Sequence, residues 1–148
     1  MLIIHIKVSI LVVIMLLVDS QGNAQQRIHF DTVSFQCFYI KQIHDNYVVN
    51  DYRKFRELWI NGSDTCEQYS LPTIDFTKKT LLGYLGNSGG CSAPKVTRSI
   101  YFQNGEYTVK IQVQEQGMCR VLWDYKCWLV IDKIADERKV KFETTYVR

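Results

Sequence analysis

The chain has 148 residues, 47% of them hydrophobic and 13% aromatic, and a formal net charge of +3. That length suits one compact domain and leaves no room for a second, catalytic one. Plentiful aromatics and scarce proline exclude a disordered chain, and the weak, interspersed positive excess excludes the clustered basic face of a nucleic-acid-binding protein.

The first residues carry a lone Lys7, an apolar run from Val8 to Val18, and small residues at Gly22 and Ala24. This is the pattern of a secretory signal peptide cut after Ala24. The run matches the roughly 7 to 15 apolar residues of an export signal and falls short of the roughly 20 needed to span a bilayer. The expected organisation is therefore a signal peptide over 1–24 and a single exported domain over 25–148, secreted or periplasmic, with no membrane span once the signal is removed. All five cysteines, Cys37, Cys66, Cys91, Cys119 and Cys127, follow the cut, and in an exported chain they are expected to form disulfides. There is no C-x-x-C, and only His29 and His44 follow the signal, so neither a metal nor another cofactor is expected. The odd count leaves at least one thiol unpaired within the chain.

Between Arg27 and Lys41, Val33, Phe35, Cys37 and Tyr39 alternate with polar neighbours, which predicts one half-buried strand. NDYRKFRELW changes the period. Asn50 reads as an N-cap, Asp51 favours the positive helix end, and Tyr52, Phe55 and Trp59 share a face, predicting a short helix from about Asp51 to Ile60. Asn61-Gly62-Ser63 stops it and is also an N-glycosylation sequon. Thr80 to Leu85 reads as a buried strand ending at Gly86, followed by a loop, NSGGCSAP.

KVTRSIYFQ and EYTVKIQVQE flank Asn104-Gly105, the strongest short hairpin signal, because both central residues of a type I′ turn take positive φ. With Gln103 opposite Glu106, counting outward places Cys91 opposite residue 118, beside Cys119. A Cys91–Cys119 disulfide is therefore expected to close the open end of the hairpin. The pairing of Cys37, Cys66 and Cys127 stays open. Tyr125 to Ile134 and Lys139 to Val147 predict a second hairpin around Ala135 to Arg138, with the last strand crossing back into the sheet. The expected fold is α+β: mainly antiparallel β-sheet of about six or seven strands, one short helix, stapled by disulfide.

GNSGGC, from Gly86 to Cys91, looks like the nucleophile loop of trypsin-like serine proteases, with Ser88 as the reactive group. Such a site needs a histidine against the hydroxyl, a carboxylate behind it and an oxyanion hole, and His29 and His44 both read as surface residues. A glycine-rich reversal tied down by Cys91 accounts for the same six residues, so no catalytic residue is assigned. The alternatives are a small secreted hydrolase using Ser88 or a free cysteine, and a carbohydrate-binding module using Trp123 with Tyr125 nearby. Asp75 reads as a turn or capping group, Glu106 and Glu115 as the polar face of a hairpin, and Trp59 and Trp128 as core.

NDYRKFRELW, PTIDFTKKTLLGYLGNSGGC, WLVIDKI and KFETTYV together resemble the domain of bacterial exported proteins called PrcB-like, over roughly Asn50 to Val147. Cys91 after the Gly89-Gly90 pair, where many relatives carry an aromatic, resembles a cysteine-containing subgroup. The resemblance implies a non-enzymatic protein that binds or stabilises another exported protein, with a protease as one candidate partner. The tip Asn87, Ser88, Gly89 and Gly90 is the expected contact, alongside backbone pairing at a sheet edge.

Overall fold

A computed structural model of the protein describes residues 24–35, 38–40, 46–61 and 71–148. The expected signal peptide up to residue 23, His44, and Cys37 and Cys66 with the question of their pairing lie outside the described residues, as does most of the sequon. The chain runs β1 (Gln26–Ile28), β2 (Asp31–Thr32), β3 (Phe38–Ile40), β4 (Asn46–Val49), α1 (Tyr52–Glu57), β5 (Trp59–Asn61), β6 (Lys79–Gln103), β7 (Glu106–Asp132), a 3₁₀ turn (Glu137–Lys139) and β8 (Val140–Val147). Six strands form one mostly antiparallel sheet, and β3 and β5 form a second of two strands.

The Asn104-Gly105 turn organises everything else. Both residues have positive φ, 52° and 79°, and β6 and β7 pair on either side of it over nearly their whole lengths. A straight strand of 27 residues would reach about 90 Å. Yet β8, beginning only eight residues after the end of β7, pairs with Tyr107 to Gln114 at the start of β7, and eight residues span at most about 28 Å. The hairpin must therefore fold back on itself. One core cluster records the fold-over: Ile100, Val109, Ile111 and Val113 from near the turn pack with Leu82, Cys127, Leu129 and Ile131 from the far ends.

The two halves are not equivalent. Near the turn only one face is covered, so buried Val109, Ile111 and Val113 alternate with exposed Lys110, Gln112 and Gln114. At the far ends both faces are covered. Leu82, Leu129 and Ile131 face the first core, while Leu81 and Trp128 face a second, aromatic one with Tyr47, Val49, Phe55, Trp59 and Phe76. That double burial is why the sequence there reads LLGYL and CWLVI, without alternation.

Each half gains short edge strands. β1 adds to β6 at Ile100 to Phe102 and β4 adds at Leu81 to Tyr84; β2 adds to β7 at Leu129 and Val130. Only His29 and Phe30 separate Ile28 from Asp31, so these edges of the two halves lie within about 10 Å. The single strand expected over Arg27 to Lys41 is therefore three pieces, because the chain changes partner at His29 and Phe30. Of the alternating residues that are described, Val33 and Phe35 pack on the aromatic core while Ser34 between them is exposed.

Three further expectations are corrected. Asp51, not Asn50, caps α1, its carboxylate accepting from Lys54 N at 2.8 Å. Asn50 instead joins a part-buried polar knot: Thr80 Oγ1 donates to Asn50 Oδ1, Ile134 N donates to Thr80 Oγ1 at 2.9 Å, and Asn50 Nδ2 donates to Ile134 O at 3.2 Å. The helix ends at Glu57 rather than Ile60, because the backbone of Trp59 to Asn61 is taken by antiparallel pairing with β3. The second hairpin does not form. β8 does cross back into the sheet, but it runs parallel to the first half of β7, since β2 holds part of the edge of the second half.

Candidate interaction surface at the stapled bend

GNSGGCSAP is not a loop. Residues 86–94 continue β6, and the glycines serve the aromatic residues opposite. A Cβ at Gly83 would overlap the six-membered ring of Trp128, its cross-strand partner. At Gly86 it would fall 2.5 Å from the Tyr125 hydroxyl and 2.7 Å from its ring. Glycine in these strands makes room for rings lying flat across the sheet, a use that reads in sequence as a turn signal.

The bend lies where the register slips. From Gln103↔Glu106 to Lys95↔Gln114 the pairing follows the register set by the turn. Between there and Gly89↔Leu122, β6 advances six residues and β7 eight. Such a bulge raises local twist and bends the strand, and Pro94, which has no N–H to give, sits within it. Cys91 and Cys119 are disulfide-bonded across the irregularity, as the hairpin count predicts. Gly117 takes φ +80° with Cys91 Sγ 2.7 Å from where its Cβ would stand, and Gly90 takes φ +154° against the Gln116 backbone. The indole N–H of Trp123 donates to Gly90 O at 3.1 Å.

This arrangement redistributes the expected contact residues. Ser88 is only 4% exposed, its hydroxyl donating to Gly89 O at 3.1 Å, and Gly90 is buried. Asn87 is exposed, and its carbonyl accepts from Tyr146 at 3.5 Å. The surplus residues of β7 carry the exposed apolar surface instead: Met118 is 98% exposed, Leu122 73% and Val121 50%. In sequence the signal was GMCRVLW, an apolar cluster beside a cysteine that breaks the alternation on both sides. Trp123 is half-buried and anchors the bend rather than lying open as a platform.

The remaining candidates resolve as local structure. Asp75 accepts from Thr77 N at 3.0 Å and Thr77 Oγ1 at 2.5 Å, bonds that hold its carboxyl below the usual carboxylate range and make it a turn residue. Glu106 pairs with Lys141 and Glu115 with Arg148. Trp59 and Trp128 are core, 8% and 5% exposed. His29 is on the surface at the β1–β2 corner, 3.9 Å from Asp31, and among the described residues no histidine is brought to Ser88. Cys127 is a free, buried thiol accepting from Arg98 Nε at 2.9 Å. Among the described residues no group of three His, Cys, Asp or Glu is arranged to hold a metal, and no helix is long and apolar enough to cross a membrane.

A row of tyrosine hydroxyls runs from the core toward Asn87: Tyr84 to Tyr125 at 3.4 Å, and Tyr125 to Tyr146 at 3.3 Å. Burial first, then these hydrogen bonds, raises the Tyr125 hydroxyl well above the usual phenol range. The unfolded chain ionises this tyrosine near pH 10 while the folded chain does not, so its contribution to stability is complete below pH 10 and falls as pH rises above it. Urea unfolding at stepped alkaline pH should show a steeper loss for the wild type than for Tyr125→Phe. Identical slopes would mean that Tyr125 titrates as an exposed phenol.

Compared with protein-family models, curated proteins and solved structures, the chain finds no match.

Proposed function

We propose that the protein is an exported, non-enzymatic α+β domain of the PrcB-like kind that binds or stabilises another exported protein through its stapled bend, a protease being the candidate partner. The observation that carries this reading is the exposure of Met118, Val121 and Leu122 on a segment fastened by the Cys91–Cys119 disulfide, Gly117 and the Trp123 bond to Gly90. Apolar side chains held out on a constrained bend lose little conformational entropy on docking, which is the economy of a preorganised interface. Neighbouring apolar groups kept in water mark contact surfaces more often than isolated ones do.

The signal-like N-terminus and the disulfide agree with an extracytoplasmic setting. The buried Ser88 hydroxyl, committed to the Gly89 carbonyl, favours a binding role over a serine hydrolase.

Co-purification after mild crosslinking in the native envelope tests the reading. Met118→Asp with Leu122→Asp is expected to cut recovery of the partner at least tenfold, the effect of desolvated charges at an apolar contact. Asn87→Ala should change it little. Undiminished recovery with both aspartates in place would remove the bend as the contact.

A further inference from the structure

β8 is paired on one side only. Its register with β7 is unbroken from Val140 to Val147, and among the described residues no strand occupies its other edge. The segment contains neither proline nor glycine. An edge of this length presents a row of backbone N–H and C=O groups ready to accept another strand.

We propose that this edge pairs with the same edge of a second copy of the chain, antiparallel, around a two-fold axis at Phe142. The choice of occupant and of register comes from charge. Val140, Phe142 and Thr144 are half-buried on the core side of β8, and Lys141, Glu143 and Thr145 are exposed on the other. For two copies to form one continuous sheet with their cores on the same side, facing residues must share a face, so the axis passes through a residue and not between two.

An axis at Lys141 or at Glu143 sets that charge opposite its own copy. An axis at Thr144 sets both charges opposite uncharged residues. An axis at Phe142 sets Lys141 opposite Glu143 twice, Val140 opposite Thr144 twice, and Phe142 opposite Phe142. Directly facing opposite charges and aromatic pairs favour a register, and facing like charges disfavour it.

The existing contacts leave this pairing available. Among the described residues Glu143 has no ion-pair partner: its register neighbour Lys110 lies over the Tyr101 ring at 5.3 Å, and Lys141 reaches Glu106 at 2.5 Å on the same sheet face. In the dimer the Lys141 ammonium stands between Glu106 of its own chain and Glu143 of the other copy. The overlap covers residues 140–144 from each copy, a small interface, so association is weak and reversible, in the micromolar range. Residues 140–144 lie along Tyr107 to Ile111, the turn end of β7, whereas the stapled bend lies midway along β7 from Gln116 to Leu122, so the pairing does not depend on what that bend binds.

Sedimentation velocity of the purified protein, from about 1 to about 200 µM, reads the dimerisation constant directly. The wild type is expected to pass from monomer to dimer across this range. Lys141→Glu alone, or Glu143→Lys alone, replaces two attractive pairs with repulsive ones and should weaken dimerisation about tenfold or more. Lys141→Glu combined with Glu143→Lys restores both pairs with signs exchanged and should bring dimerisation back near the wild-type constant. The double variant carries every intrachain loss of the single ones, including the Glu106 contact, so misfolding cannot mimic the rescue. A wild type that stays monomeric throughout, single reversals without effect, or a double variant no better than the singles would each overturn the proposal.

Discussion

Gly83→Ala is expected to destabilise the protein by about 3 kcal/mol, the upper part of the range for overpacking a filled core. The added methyl group would overlap the Trp128 ring, and that ring has nowhere to go. Phe35 lies edge-on to it at 5.3 Å between centroids, Trp59 is at 5.0 Å and Tyr47 at 5.7 Å. Gly89→Ala makes the contrast. Its new Cβ would meet only Glu115 Oε1 at 4.0 Å, so stability should move by less than about 0.5 kcal/mol. Urea unfolding of the two variants beside the wild type decides the matter. Equal midpoints for Gly83→Ala and Gly89→Ala would show that the glycines of this stretch are not placed to receive aromatic rings.

Removing the staple is expected to have an effect of the same order. The Cys91–Cys119 bond joins residues 28 apart, for which loop entropy gives about 3.5 kcal/mol; strain and residual structure put the working range at about 2 to 4. Cys91→Ala with Cys119→Ala should lower the unfolding free energy by that amount. Hydrogen exchange should also show where the loss falls. Amides of Gly117 to Leu122 should lose protection first, while those of Leu81 to Tyr84 and Cys127 to Ile131, paired within doubly covered sheet, should keep theirs up to global unfolding. An unchanged midpoint in the double variant would mean that the bulge is held by Trp123 and backbone pairing alone.

The disulfide was legible because Asn104-Gly105 dictates a two-residue turn, and a turn of known type counts out its own cross-strand partners. Two residues of bulge between Lys95 and Gly89 were too few to carry Cys119 away from Cys91. The glycines of the expected loop resisted reading for the opposite reason. Gly86, Gly89 and Gly90 carry the same local signal, yet Gly86 is a strand position facing a ring, Gly89 is unconstrained and Gly90 sits at the bulge; only the residues across the ladder tell them apart. The helix end and the β1–β2 break failed similarly, since Trp59 to Asn61 and Arg27 to Thr32 take their conformation from partners remote in sequence.

The sequence by itself determined the class of the molecule: a predominantly antiparallel β protein with one short amphipathic helix, a hairpin about Asn104-Gly105 with its staple, Trp59 and Trp128 in the core, and a last strand returning to the sheet. Each follows from turn chemistry or from the period of apolar residues, which are local properties. Only the tertiary structure decided that the hairpin folds over at its bulge, that β8 runs parallel to β7 and leaves its own edge open, and that Ser88 is buried while Met118 and Leu122 face solvent. Those outcomes depend on which strand occupies which edge and on which side chains fill the space between the halves. They are contacts between residues dozens of positions apart, for which no local pattern exists.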